Sequence, residues 1–186
     1  MAQAFVYVLL HKPTETVTTL SDEKGRTNVR ELIDLPERIF PIGRLDYKTS
    51  GVLLLTNDGE LSQLLTHPRY GVRKVYEVVV QRRMQEEHIE RLQKGVVLED
   101  GRTQPCRIEY LRSQGVKAIY RITVKEGRNR LIRRLIEHFG YNVRQLSRVE
   151  FGGMTTGNLK PGQWRIVSKP ELEKLRARIG KPTARK

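Results

Sequence analysis

Residues 43–59 read Gly43-Arg44-Leu45-Asp46-Tyr47-Lys48-Thr49-Ser50-Gly51-Val52-Leu53-Leu54-Leu55-Thr56-Asn57-Asp58-Gly59. A polar loop that begins and ends with glycine leads here directly into an apolar run, which predicts a loop anchored to a buried strand. Asp46 stands between Arg44 and Lys48, so we expect its carboxylate to stay ionised at neutral pH. The pattern indicates an active-site loop, although a loop aspartate that caps a turn has the same local sequence.

The length and composition of the chain predict a globular protein with one main body. Its 186 residues are enough for one buried core or for two small, closely packed lobes. We expect residues 1–180 to form a single catalytic domain and residues 181–186 to form a basic tail. No apolar run is long enough to cross a bilayer, and the N-terminus lacks the order of a secretory signal.

The charge of the chain points to a polyanionic partner. Lys and Arg number 35 against 21 Asp and Glu, a formal net charge of +14 that is spread over the whole sequence. Such a charge attracts phosphate backbones whatever the chemistry of the site. A basic solvated surface that merely repels other copies is the alternative, and the same repulsion favours a monomer.

Cysteine and histidine usage favours a metal-free site in a reducing cytoplasm. Cys106 is the only cysteine, and the four histidines show no paired ligand spacing. The phosphate-cradling loop, the dinucleotide glycine pattern and the serine nucleophile elbow are also missing from the sequence. What remains is one carboxylate in a basic loop, a tyrosine at the start of a strand and an arginine cluster at the start of a helix. These three features suit a substrate with a phosphate backbone and a planar base.

Short apolar runs alternate with short helical patterns along the chain. The strands are expected at 5–10, 52–56, 75–80, 96–98, 106–111, 118–125, 143–149 and 164–167. Helices are expected at 60–66, 85–94 and 131–139, in a segment capped by Thr27 and ended by Pro36, and after a capping box of Ser168 with Glu171. Connections too short for parallel crossovers predict an α+β fold, with a largely antiparallel mixed β-sheet and flanking helices.

Three long motifs follow one another in the chain. The first is Gly43-Arg44-Leu45-Asp46 with Thr49-Ser50-Gly51 and 53–59, the second is Lys74-Val75-Tyr76, and the third is Glu126-Gly127-Arg128-Asn129-Arg130 with Ile132-Arg133-Arg134. In this order they resemble RNA pseudouridine synthases of the bacterial ribosomal small-subunit pseudouridine synthase A family. The resemblance implies a catalytic fold with a central cleft and an enzyme that isomerises specific uridines in ribosomal RNA. Of the two ribosomal subunits, we expect the large one to carry the target. The resemblance implies no cofactor, because the reaction neither changes redox state nor transfers a group between molecules.

The resemblance also implies roles for individual residues. Asp46 becomes the catalytic nucleophile or base, Tyr76 stacks on the target base, Arg133 is the ion-pair partner of Asp46, and Ile132 packs in the pocket. A carboxylate nucleophile and base stacking on tyrosine are both chemically reasonable. Periodicity alone does not choose Arg133, because Arg130 and Arg134 lie similarly far from the apolar stripe.

Basic residues that flank these motifs are the candidates for phosphate contacts. They are Arg44, Lys48, Arg69, Arg73, Lys74, Arg128 and Arg130. Each of them, taken alone, is typical of an ordinary charged residue on the surface. Together they would offset the unstacking that brings a target base to the carboxylate.

The chain departs from the family pattern in three places. The family usually has a glycine soon after Lys12-Pro13, where this chain has Thr14-Glu15-Thr16, and a glutamine where Leu131 stands. Many relatives also carry a small RNA-binding domain of the ribosomal-protein S4 type before the first strand. Its absence here is expected of a naturally short member or of an isolated catalytic domain.

The alternative function is a non-catalytic RNA-binding or ribosome-assembly factor built on the same fold. Charge alone favours it as much as it favours an enzyme. A DNA-binding protein is disfavoured because the sequence has no helix-turn-helix or zinc pattern.

Overall fold

The computed structural model describes residues 3–179, in which ten strands and four α-helices follow one another. The strands are β1 (Tyr7–Lys12), β2 (Phe40–Pro41), β3 (Thr49–Thr56), β4 (Lys74–Val80), β5 (Val97–Leu98), β6 (Gly101–Arg102), β7 (Arg107–Gln114), β8 (Lys117–Val124), β9 (Val143–Phe151) and β10 (Trp164–Ile166). The helices are α1 (Gly59–Thr66), α2 (Glu86–Lys94), α3 (Leu131–Glu137) and α4 (Lys169–Arg178). Short 3₁₀ turns occupy Val29–Leu32 and Pro68–Tyr70.

Eight of the strands form one sheet in the order β10-β1-β3-β9-β4-β8-β7, with β2 paired to the end of β3. Neighbours are antiparallel except β3 and β9, which run parallel over Thr49–Gly51 and Leu146–Arg148. The expected α+β fold with a mostly antiparallel mixed sheet is therefore confirmed. The two antiparallel halves of the sheet meet at this short parallel seam, and the remaining two strands form the separate hairpin β5–β6.

Strand β3 is buried on both faces, which explains its uninterrupted apolar sequence. Val52 and Leu54 pack under α1 and α4, while Leu53 and Leu55 pack on the opposite face with Val29. A third core cluster lies where α2 and α3 cover β4, β8 and β9. No described helix is long and apolar enough to cross a membrane.

Two sequence-based predictions of local structure are wrong. The segment expected to be a helix capped by Thr27 is a single 3₁₀ turn, and Asn28 caps it by accepting from Arg30 N and Glu31 N. Strand β3 begins at Thr49 rather than at residue 52, because the polar residues of the loop pair with β9, a distant strand. The capping box of Ser168 and Glu171 is confirmed. The expected basic tail, 181–186, lies outside the described residues.

A buried lysine at the end of β1 holds the loop that carries Asp46. Lys12 is fully buried, and its Nζ donates to the carbonyl oxygens of Asp46 at 3.1 Å, Thr49 at 2.7 Å and Pro13 at 3.1 Å. Burial lowers the pKa of Lys12 to about 8, and the nearby Asp46 carboxylate opposes that shift. Thr18 adds a second tie, since its hydroxyl donates to the carbonyl oxygen of Leu45 at 2.7 Å.

The seam between β3 and β9 requires a glycine. Gly51 has φ +116, and a Cβ at this position would lie 2.0 Å from the carbonyl oxygen of Arg148. Both the backbone conformation and the close approach of the two main chains exclude a larger residue.

We expect Gly51→Ala to lower the free energy of unfolding by at least about 2 kcal/mol, because the methyl group adds a backbone clash to a strained φ. Urea unfolding followed by circular dichroism measures the change. Gly59→Ala is the matched control, since a Cβ there has no neighbour within 4 Å. It should leave stability unchanged or slightly raised, and equal losses in the two variants would contradict the assignment.

We expect Lys12→Met to lose about 1–3 kcal/mol at pH 7, because buried carbonyl oxygens lose their donor. The pKa of Lys12 falls from 10.5 to about 8 on folding, so the unfolded chain binds more protons between these pH values. This lysine therefore adds stability as pH rises from about 8 to about 10.5. Urea unfolding across that range should show a flatter pH dependence for Lys12→Met than for wild type, whereas the exposed-site control Lys117→Met should follow wild type.

Candidate active site

A cleft of about 370 Å³ opens at the seam between the two halves of the sheet. It is lined by residues of the Asp46 loop, of β4, β8 and β9, and of the segment that enters α3. Seven of the residues selected from sequence line it: Arg44, Asp46, Lys74, Tyr76, Arg128, Arg130 and Ile132. The three motifs that are far apart in the chain therefore converge on one cleft.

Two arginines face the carboxylate of Asp46. Its Oδ2 lies 3.6 Å from Arg130 Nη1 and 3.7 Å from Arg133 Nε, and the Asp46 side chain is 24% exposed. The ion pair with Arg133 that the family resemblance implies is thus present, and Arg130 adds a second cation. The carboxylate of Asp46 is thus held between two guanidinium groups.

The contact between Arg133 and Asp46 is not yet a hydrogen bond. Arg133 Nη2 donates to Thr49 Oγ1 at 3.3 Å, but Arg133 Nε is buried and has no hydrogen-bond partner. Burial and the neighbouring Arg130 lower the pKa of Arg133, while Asp46 opposes that shift. If the two atoms moved about 0.5 Å closer, the contact would become a charge-assisted hydrogen bond.

Arg130 occupies a strained backbone position at the start of α3. Its φ is +52, and among the described residues only Glu15 shares a positive φ without being glycine. Non-glycine residues in this left-handed region are uncommon, and they concentrate at functional sites. The strain here coincides with the residue that contacts Asp46.

Arg134 does not face the cleft carboxylate, which resolves the choice that periodicity left open. Its two terminal nitrogens donate to Asp100 at 2.7 and 3.0 Å, and these bonds hold the pKa of Asp100 at about 2. Arg128 donates to Glu126 at 2.7 Å and to the carbonyl oxygen of Gly101 at 3.1 Å. Both arginines therefore fasten the hairpin β5–β6 to the segment that enters α3.

Tyr76 lies half-buried in the cleft, beside a buried arginine that sequence reasoning missed. Arg148 is its cross-strand partner on β9, and Arg148 donates twice to the carbonyl oxygen of Val52, at 2.9 and 2.8 Å. Burial lowers the pKa of Arg148, and the interaction with Tyr76 opposes this shift. The sequence indicates this burial only through spacing along β9: Arg148 is two residues from the buried Leu146, so their side chains lie on the same face of the strand.

Lys74 adds a second, partly buried cation to this wall of the cleft. Burial and then the charge of Arg148 lower its pKa to about 8, and Glu126 opposes the shift. The aromatic ring of Phe151 lies 4.7 Å from Arg148 Cζ and also lines the cleft. The site therefore combines one carboxylate with cationic and aromatic walls.

Some of the predicted phosphate contacts lie elsewhere. Lys48 is outside the cleft lining and pairs with Glu15 at 2.8 Å, and Arg73 pairs with Glu150 at 2.9 Å. Arg69 is exposed and also does not line the cleft. No cluster of three or more histidine, cysteine, aspartate or glutamate side chains that could hold a metal occurs in residues 3–179.

Comparison with known proteins identifies a family and several relatives of the chain. The family model described as RNA pseudouridylate synthase matches residues 6–138. An uncharacterised RNA pseudouridine synthase of Aquifex aeolicus is 42% identical over 94% of this chain and 71% of its own length. The ribosomal large subunit pseudouridine synthase B of Bacillus subtilis is 41% identical over 92% of this chain and 72% of its own length.

Solved structures share the same architecture. A crystal structure of a pseudouridylate synthase superposes with a TM-score of 0.85, at 28% identity over 94% of this chain and 75% of that one. The human RNA pseudouridylate synthase domain containing 1, at 14% identity and a TM-score of 0.56 over 100% of this chain and 89% of its own, shares the fold alone. With the family match and the converging motifs, these comparisons show that the chain belongs to the RNA pseudouridylate synthase family.

Proposed function

We propose that this enzyme converts a specific uridine of large-subunit ribosomal RNA to pseudouridine, with Asp46 as its catalytic group. The observation that carries the proposal is the placement of Asp46 in the cleft, where Arg130 and Arg133 lie 3.6 and 3.7 Å from its Oδ2. Two relatives support the choice of large-subunit over small-subunit ribosomal RNA, since the synthases of Bacillus subtilis and Vibrio parahaemolyticus are both named for the large subunit.

The reaction moves one bond of a nucleotide without changing its composition. The bond between C1′ of ribose and N1 of uracil breaks, the base turns, and C1′ bonds to C5 of the same base. The proton of C5 leaves and N1 takes up a proton, so atoms and electrons balance. Asp46 serves as nucleophile or as base in this sequence, and in both roles it acts through the carboxylate that Arg130 and Arg133 face.

The walls of the cleft suit a planar base. Tyr76 offers a ring for stacking, and the apolar side chains of Ile132 and Leu146 line the cleft beside it. Because Arg148 is buried next to Tyr76 and bonded to Val52, the tyrosine is backed by a rigid neighbour. The base would be held while its bond to ribose is remade.

The cations around the cleft suit the phosphates of an extruded nucleotide. Arg44 and Lys74 line the cleft without an ion pair to a described carboxylate. Phosphate contacts of this kind offset the loss of stacking when a base leaves its helix. Arg128 would contact an RNA phosphate, as predicted, only after giving up its hydrogen bonds to Glu126 and to the carbonyl oxygen of Gly101.

We extend the proposal to the whole protein. Residues 1–180 act as one catalytic domain, working as a monomer in the cytoplasm, and the sheet that runs from β1 to β10 supports a single unit. The closer grouping with the small-subunit synthase A family stays a prediction, since the named relatives carry large-subunit names.

We expect Asp46→Asn to abolish pseudouridine formation, with a rate loss of at least about 10³-fold, because the neutral amide is a poor nucleophile and base. Large-subunit ribosomal RNA from cells lacking the protein would be incubated with each purified variant, and pseudouridines would be mapped by carbodiimide labelling and primer extension. Asp34→Asn, an exposed carboxylate outside the cleft, is the matched control. Retained activity in Asp46→Asn would refute the catalytic assignment, and wild type without activity on any ribosomal RNA would favour a non-catalytic binding factor.

We expect Arg133→Lys to slow the single-turnover rate by about 30-fold, because a charge-assisted hydrogen bond to a carboxylate contributes about 2 kcal/mol. The enzyme concentration for half-maximal rate should change less than threefold, since the loss falls on the reacting state. Arg134→Lys is matched in charge and helix position but contacts Asp100, so it should keep the wild-type rate. Equal rates for both variants would show that the Asp46–Arg133 contact does not serve catalysis.

A further inference from the structure

An aromatic side chain flanked by two cations lies immediately beside the catalytic loop residue. Tyr47 follows Asp46 in the chain and is partly exposed, but it does not line the cleft. Arg26 Cζ lies 5.5 Å and Lys48 Nζ lies 5.6 Å from the centre of its ring. We call Tyr47, Arg26 and Lys48 the Tyr47 patch.

The two cations stand farther from the ring centre than several other arginines of the described chain do from theirs. Four other arginines of the described chain lie 4.1–4.7 Å from the ring that each one covers: Arg82, Arg83, Arg91 and Arg148. The cations beside Tyr47 lie about an ångström farther out and within cation–π range. The ring is therefore framed by positive charge without being closely covered by it.

The patch is held in place by the segment that follows Lys12. Glu15 N donates to the carbonyl oxygen of Tyr47 at 2.7 Å, and Arg26 donates to Asp22 through Nε at 3.1 Å and Nη2 at 2.9 Å. Glu15 adopts φ +59 to make its contact. This strained residue stands in the segment where the chain departs from the glycine of the family pattern.

Lys48 is free to change partners. Its ion pair with Glu15 joins side chains that are 62% and 64% exposed. Exposed pairs of this kind contribute little stability, so a phosphate group could take the place of the Glu15 carboxylate at small cost. Arg26 would keep its charge beside the ring, because Asp22 fixes it there.

We propose that the Tyr47 patch binds a nucleotide next to the target uridine, with its base stacked on Tyr47 and its phosphate on Lys48 and Arg26. The inference rests on the proposed function, since it places the target uridine at Asp46. Tyr47 and Asp46 are consecutive residues, with Cα atoms about 3.8 Å apart, and we therefore assign the base on Tyr47 to a nucleotide adjoining the one in the cleft. Stacking on an aromatic with flanking cations is how proteins hold single-stranded RNA without reading its sequence.

The first test measures binding without catalysis. The affinity of a fluorescent uridine dodecamer is measured by anisotropy for wild type and for Tyr47→Ala, Tyr47→Leu and Tyr47→Phe. Loss of one base–aromatic stack weakens binding about tenfold, so Ala and Leu should lose this factor while Phe keeps wild-type affinity. Leu retains the bulk of the side chain, which separates the loss of the ring from a loosened loop.

A matched control keeps the result specific. Tyr110 is also partly exposed and has Arg83 at 4.1 Å from its ring, but it lies on β7 at the far edge of the sheet. Tyr110→Ala should bind the dodecamer as wild type does. Unchanged affinity in Tyr47→Ala and Tyr47→Leu, or an equal loss in Tyr110→Ala, would overturn the proposal.

Salt dependence tests the two cations. For single-stranded nucleic acid, each lost phosphate contact reduces the slope of log affinity against log salt by about 0.7. Lys48→Met and Arg26→Met should each show this reduction, and Tyr47→Leu should keep the wild-type slope. If both methionine variants kept the wild-type slope, the proposed phosphate contacts of Lys48 and Arg26 would be refuted.

The second test uses the ribosomal RNA fragment that carries the mapped uridine. In single-turnover reactions, Tyr47→Leu should raise the enzyme concentration for half-maximal rate about tenfold and leave the maximal rate within about twofold, as expected of a contact kept throughout the reaction. A lower maximal rate at unchanged half-saturation would contradict the proposal, because Tyr47 would then act on Asp46. Wild type that binds the dodecamer through Tyr47 yet forms no pseudouridine would refute the proposed function alone.

Discussion

The parallel pairing of β3 with β9 is the constraint on which the rest of the structure depends. It spans three residues on each strand, and it joins the two antiparallel halves of the sheet. Gly51 lets the two backbones approach, and Arg148 crosses the seam to the carbonyl oxygen of Val52. Because the pairing is so short, the strands separate beside it and the cleft opens there. One local contact therefore supplies both the connection between the halves and the space for a substrate.

The cations of the site divide into three working groups according to their acceptors. Lys12 and Arg148 are buried and donate to backbone carbonyl oxygens, so they hold the Asp46 loop and the seam. Arg130 and Arg133 face the carboxylate of Asp46. A third group, which includes Arg44 and Lys74 in the cleft, is the one proposed to contact the phosphates of RNA. The excess of basic residues therefore does not all lie on the surface where a polyanion could bind, since several of these cations are bonded to groups inside the protein.

Conformational strain marks the two places where the chain meets its proposed substrate. Glu15 and Arg130 are the non-glycine residues with positive φ in the described part of the chain, and both flank the Asp46 loop. Glu15 bonds to the backbone of Tyr47, and Arg130 contacts Asp46 from the start of α3. Strain of this kind persists only where surrounding contacts impose it. Here those contacts orient groups on either side of one carboxylate.

The sequence by itself determined the α+β class, the apolar strands, the capping box of α4 and, through its three motifs, the residues that converge on the cleft. These features follow from local periodicity, capping chemistry and motif order, which need no knowledge of distant contacts. Only the tertiary structure decided that β3 starts at Thr49, that Arg130 and Arg133 rather than Arg134 face Asp46, and that Lys12 and Arg148 are buried. Each of these depends on which distant acceptor lies within reach of a charge or a backbone, and spacing along the chain does not encode that distance.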